Sequence, residues 1–196
     1  LPPAARPSVN PPAARRRIRA ELNIPGDHLA LTVPNEMLRD AGHKFALWAH
    51  AILTFAKEPV HLLLPGGGPH ESHVRYFART GGCEQNAHFT GWEYPIADLL
   101  AASDVAVLLP ERDCGVSAIA AALSARLPIV ASRTRQLLAL TRDGQACLAV
   151  PPAEPRAAAG AVFQLMEDAA LKKRLGRAAG DLAATACDRD AARKAL

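Results

Sequence analysis

Residues 104–132, DVAVLLPERDCGVSAIAAALSARLPIVAS, read as strand, loop, helix and strand. An apolar run at 105–109 gives way to a polar turn with Gly115, an alanine-rich helix follows over about 117–126, and a second apolar run occupies 128–131. Two buried strands joined by a helix make a parallel crossover. In open parallel sheets ligands sit past the carboxyl ends of the strands, and the loop 110–116 leaves such an end and feeds a helix start. The first backbone N–H groups of that helix have no partner inside it and suit an anion, which makes this the first candidate binding loop.

The same alternation extends outward on both sides. Upstream, an arginine-rich helix at 12–22 lies between Pro11-Pro12 and Asn23, and then come a buried strand at 28–33 and a helix at 44–57. On that helix Phe45, Trp48, Ala49, Ile52 and Ala56 share a face that reads as core. A strand at 60–64 runs into Pro65-Gly66-Gly67-Gly68-Pro69, followed by a helix at 70–80, a short strand at 87–90 and a helix at 94–103. Downstream come a helix at 134–141, a last strand at 146–150 and two amphipathic helices near 156–168 and 171–184. Apolar strands without clear period two, alternating with helices long enough to cross over, predict an α/β doubly wound, Rossmann-like parallel sheet of about six strands.

Composition narrows the function classes. A chain of 196 residues, 49% apolar and only 5% aromatic, fills one core with Ala, Leu and Val. No apolar run reaches the roughly 20 residues of a membrane-spanning helix, and no signal segment opens the chain. Cys83, Cys114, Cys147 and Cys187 are widely spaced without a CxxC pair, which reads as reduced thiols and a cytoplasmic location. The net charge of +4 includes the run Arg15, Arg16, Arg17 and Arg19, but without interleaved aromatics it reads as a solvated helix face, not a nucleic-acid surface. The chain starts at Leu1 and is rich in proline over 1–11, which predicts a linker from an upstream domain, a folded domain over 12–185 and a tail over 186–196.

Three clusters carry candidate chemistry. Gly66 to Gly68 follow a strand directly, where backbone lacking Cβ atoms can approach a ligand. They make neither a dinucleotide fingerprint, since Glu71 stands where a third glycine is needed, nor a P-loop. A tight turn explains them as well as a ligand loop. His70 and His73 have metal-ligand spacing without an evident third ligand, so an exposed helix face is the simpler reading and no metal is expected. Cys114 beside Asp113 lies near a helix start that can lower a thiol's pKa, but no local His serves as its base.

Taken in order, Pro65-Gly66-Gly67-Gly68-Pro69, Phe89-Thr90-Gly91, YPIADLLAASD at 94–104, LPIVAS at 127–132, Asp143-Gly144 and Val150-Pro151-Pro152 resemble one family. They are similar to the C-terminal, nucleotide-sugar-binding half of family 4 retaining glycosyltransferases of the GT-B type, over about 15–176. The resemblance implies an N-terminal acceptor-binding domain in the same chain, a nucleotide-sugar donor as substrate, no cofactor or metal, and no nucleic-acid partner. It also implies a cytoplasmic protein that meets a membrane, if at all, through the N-terminal domain.

Carried over by position, the family's first signature glutamate falls on Asp113, the candidate catalytic residue, and its second on Ala121, which should then face the crevice. Its diphosphate-binding basic pair falls on Glu36 and Ala41, with Arg39 and Lys44 near enough to stand in. A glycine pair falls on Arg135 and Gln136, and the glutamate that follows on Ala139. Gly66, Gly68, Trp92, Gly115, Val116 and Ser117 complete the substrate-binding set. The primary reading is a glycosyltransferase donor domain, inactive without its other half. The alternatives are a catalytically degenerate domain kept for binding or scaffolding, and another nucleotide-binding α/β protein such as an epimerase; the missing fingerprint weighs against an oxidoreductase.

Overall fold

Helices and strands alternate along the chain as the apolar pattern requires. The computed structural model describes residues 8–113, 115–142 and 144–186, so most of the expected linker and tail, together with Cys114, Asp143 and Cys187, lie outside the described residues. The first half contains α1 (Pro11–Glu21), β1 (Leu29–Thr32), α2 (His43–Phe55), β2 (Val60–Pro65), α3 (Glu71–Thr80), β3 (Ala87–Gly91) and α4 (Ile96–Ala102). The second contains β4 (Val105–Leu108), α5 (Val116–Ser124), β5 (Ile129–Ser132), α6 (Arg135–Leu140), β6 (Cys147–Val150), α7 (Pro155–Glu167) and α8 (Ala169–Ala186).

All strand pairs are parallel and the order is β3-β2-β1-β4-β5-β6. The chain winds outward one way from β1 and the other way from β4. The switch point therefore lies between these two neighbours, where Leu31 pairs with Val105. Every residue of β1, β2, β4 and β5 is buried, which is why these strands read as unbroken apolar runs; the edge strands β3 and β6 are half-buried.

Alternate side chains serve two cores. Leu31, Leu62, Val107 and Val130 pack with Leu47 of α2, Val74 of α3 and Val162 of α7 on one face. Ala106, Leu108 and Ile129 meet Ala122 of α5, Leu137 of α6 and Leu182 of α8 on the other. On that second face Leu63 also meets Ile18 of α1 and Leu99 of α4.

Two expectations need correction. The arginines of α1 do not all face solvent. Arg15 donates to Asp104 at 2.7 Å and to the carbonyls of Ala102 and Ser103 at 3.1 and 3.0 Å. Arg19, 6% exposed, donates to the other Asp104 oxygen at 3.2 Å and to the carbonyls of Pro25 and His28. These carbonyls include the last ones of α4, where a cation complements the helix dipole. Trp48 and Ala56 are not core either. α2 turns Phe45, Ala46, Ala49, His50 and Leu53 inward and leaves Trp48 51% exposed, because a helix apolar on nearly all sides gives no unique inward phase.

Candidate functional site

Six parallel strands bring all six following loops to one edge of the sheet. The Gly66 loop after β2 and the 110–116 loop after β4 therefore open together, as expected. The loop after β1 ties them. Met37 N–H donates to Gly67 O at 3.0 Å, His70 N–H donates back to Met37 O at 2.9 Å, and Glu111 N–H donates to Asp40 O at 3.1 Å. Glycines make these approaches possible. A Cβ on Gly42 would overlap the carbonyl oxygen of Leu109, and one on Gly68, at φ +155°, would meet Met37 backbone at 2.7 Å.

At the switch point Asn35 sets its side chain against Gly115, where a Cβ would meet the Asn35 amide nitrogen at 3.2 Å. The remaining space, lined also by Pro110, Ile119, Ser132 and Thr134, is about 10 Å³, room for roughly one water. Asn35 therefore stands at the rim of this small space, which lies past the ends of β4 and β5 between α5 and α6. It also lines the larger cleft next door, about 600 Å³, together with Pro34, Gly66, Trp92, Tyr94 and Ile96. Trp92, 81% exposed, lays its indole over Gly66, whose missing Cβ would stand 3.1 Å from the ring. Position alone flags Asn35, as one of the first residues past a switch-point strand, although it carries no charge to mark it among its neighbours.

The candidate residues are distributed unevenly. Gly115 is the left-handed N-cap of α5 (φ 80°) and supplies no side-chain cap, so among the described residues the first N–H groups of α5, beginning at Val116 and Ser117, are open to a ligand or water. Asp113 is exposed, and its carboxylate accepts the N–H of Gln136 at 3.0 Å, at the start of α6. Ala121 does not face the crevice. It is 6% exposed, within the apolar cluster that holds Leu100, Ala106 and Ile119, and it does not border the small space beside Asn35.

Arg39 and Lys44 are exposed and line a separate cleft of about 230 Å³ with His43, His70 and His73. Lys44 reaches the 110–116 loop, but its ammonium ends on Glu111 at 2.7 Å. His70 stacks on His73, with centroids 4.4 Å apart. Its pKa is lowered by partial desolvation first and then by the charges of His73, Arg39 and Lys44. Among the described residues no third ligand joins this pair. His43, 1% exposed, is lowered to about 4 chiefly by burial, so its neutral ring donates from Nε2 to Asn35 O at 3.2 Å.

The model of the glycosyl transferases group 1 family matches residues 33–168, well over half of the chain. The chain belongs to this family. Among solved structures, this glycosyltransferase domain is similar to HepE of Anabaena in complex with UDP and glucose, at 17% identity and TM-score 0.82, over 97% of this chain and 53% of that one. It is similar to sucrose-phosphate synthase of Thermosynechococcus elongatus at 22% identity and TM-score 0.78, over 95% and 46% of the two chains. The C-terminal domain of a group 1 glycosyltransferase, LpcC of Francisella tularensis, matches at 16% identity and TM-score 0.73, over 93% and 95%. At these identities the likeness concerns the fold, a GT-B half-architecture. The domain spans about half the length of the first two, and no curated protein matches it in sequence. No helix among the described residues is long and apolar enough to cross a membrane.

Proposed function

We propose that this domain binds the nucleotide-sugar donor of a family 4 type glycosyltransferase that transfers the sugar to an acceptor held by another domain. The observation that carries the reading is the apolar cleft of about 600 Å³ under Trp92, next to the uncapped start of α5. A planar base suits the free face of the indole, whose other face lies on Gly66, and a diphosphate suits the α5 N–H groups. Asn35 lies between the two and offers an amide to the ribose or phosphate. The UDP complex of HepE, which shares the fold, supports the choice of ligand class.

In this reading Lys44 exchanges Glu111 for the diphosphate, with Arg39 behind it. Backbone N–H groups and these cations then stabilise the negative charge that develops on the leaving diphosphate, without a metal. Asp113 approaches the donor sugar only after releasing Gln136 N–H. Binding is weak, because Lys44 must give up Glu111 before it can meet the diphosphate.

Titration calorimetry with UDP, GDP and ADP tests the reading. At least one should bind with Kd in the ~100 μM range, and Trp92→Ala should weaken it by about tenfold, the scale of one lost base–aromatic stack. No binding at millimolar nucleotide, or binding untouched by Trp92→Ala, would sink the assignment of this cleft. Turnover of a nucleotide-sugar by the protein with its acceptor domain separates an active enzyme from a binding half.

A further inference from the structure

His43 is polar, yet α2 turns it inward as its first residue, on a helix whose other buried positions include Phe45, Ala46 and Leu47. Burying an imidazole costs free energy unless both ring nitrogens are bonded. Here Nε2–H donates to Asn35 O at 3.2 Å, while Nδ1 is buried without a partner among the described residues. An aliphatic side chain would fill the same space and leave no nitrogen unpaired, so the contact with Asn35 is what the ring supplies. Burial first, and then the charge of His70, keep Nδ1 unprotonated at neutral pH, which leaves the hydrogen on Nε2.

Asn35 O depends on this donor. Among the described residues no backbone N–H donates to it, although the rest of the β1 loop is tied by the N–H groups of Asn35, Met37 and Ala41. The peptide that carries the carbonyl also sets where the Asn35 side chain points. Its amide nitrogen lies 3.2 Å from where Gly115 would carry a Cβ, and Asn35 borders both the small space beside α5 and the cleft under Trp92. The ring itself starts from a fixed point, because Gly42 caps α2 in the left-handed region with its Cα against the Leu109 carbonyl.

We propose that His43 is a positioning residue of the donor site: it does not touch the nucleotide, but holds the Asn35 carbonyl so that the Asn35 amide stays turned to the ribose or phosphate. The inference rests on the donor reading and adds to it the group that orients Asn35. A small displacement of a binding group costs much of its interaction, so a ring outside the cleft governs affinity inside it. The effect depends on the reach of one N–H and not on charge, since Nε2 carries hydrogen in the neutral and the protonated ring alike.

The test uses the 196-residue chain and, as probe, the tightest binder among UDP, GDP and ADP in titration calorimetry. His43→Leu should weaken the probe about tenfold, the value of one oriented hydrogen bond. His43→Gln places an amide nitrogen where Nε2 stood and should restore affinity to within about threefold, whereas His43→Asn places it where Nδ1 stood and should not. This order is expected whatever the order of the urea midpoints, and the Gln and Asn pair reads the contact even if His43→Leu fails to fold. Asn35→Ala keeps the carbonyl but loses the amide; it should weaken the probe by the same factor, and His43→Leu should then add nothing. With Trp92→Ala, by contrast, the loss from His43→Leu should multiply in full. Unchanged affinity in His43→Leu, equal rescue by Asn and Gln, or losses from His43→Leu and Asn35→Ala that multiply would each overturn the proposal. If Trp92→Ala weakens the probe and Asn35→Ala does not, the donor reading stands and the role of His43 falls; if none of the three nucleotides binds, both fall.

Discussion

Gly42 joins two requirements at one Cα. It caps α2 in the left-handed region at φ 85°, and its side of the chain lies against the Leu109 carbonyl at the end of β4. Gly42→Ala therefore meets backbone strain together with a clash against backbone that cannot turn away. A loss above about 3 kcal/mol is expected in urea unfolding at unchanged m; a loss under about 1 kcal/mol would mean that the β1 and β4 loops separate easily. Ala121→Glu distinguishes core from crevice. A carboxylate among Leu100, Ala106 and Ala118 has no partner there, so the variant should lose several kcal/mol, roughly 3 or more, without tightening nucleotide. Tighter UDP binding at unchanged stability would place the side chain in the crevice after all.

The attachment of α1 belongs to the scale of elements. Asp104, at the turn into β4, accepts from Arg15, from Arg19 and from the N–H of Ala30 at 2.8 Å, and so joins α1, β1 and the end of α4 at one carboxylate. Most of Arg19 is buried, so removing its counter-ion costs far more than an exposed pair would. Asp104→Ala should cost about 3–5 kcal/mol and speed amide exchange in α1 more than in α5. A change within about 0.5 kcal/mol would show that α1 is held by Ile18 and its apolar neighbours alone.

Across the whole molecule the buried histidines set the response to acid. His43, His50 and His61 are all lowered to about 4, with desolvation the largest cause in each, and His61 also feels the charge of His88. His61 lies in a ladder on the α1 face, with ring-nitrogen contacts of 3.1 Å to His28 and 2.9 Å to His88. Because the folded pKa lies below the unfolded value of 6.5, the unfolded chain binds more protons between pH 6.5 and 4. Stability is therefore full above pH 6.5 and falls as pH drops through that window. Each group shifted this far carries on the order of 3 kcal/mol at complete protonation. Between about pH 6.5 and 5, where carboxylates titrate little, the urea midpoint should fall steadily at constant m. A flat midpoint there would show that these rings take up protons in the folded state.

The sequence by itself determined the order of the elements and the class of the sheet. Runs such as VHLLLP and VAVL, separated by helix-length segments, leave room only for parallel strands covered on both faces, and each element lies within a residue or two of where the pattern put it. It also placed the candidate loops, since in a parallel sheet every strand ends at the same edge. Only the tertiary structure decided which side chains occupy that edge. Spacing along α5 cannot tell Ala121 from Ile119, because the helix is apolar all round and its rotation is set by packing against β4, β5 and α8. Asp113 and Lys44 are charged and well placed in sequence, yet their partners, Gln136 N–H and Glu111, come from other segments of the fold. Asn35 lies against Gly115, about 80 residues away in the sequence, only in the assembled fold, and Trp48 faces outward because α2 had to choose one of several apolar faces. Local pattern fixes periodicity and burial on average; pairing between distant segments is a property of the assembled chain.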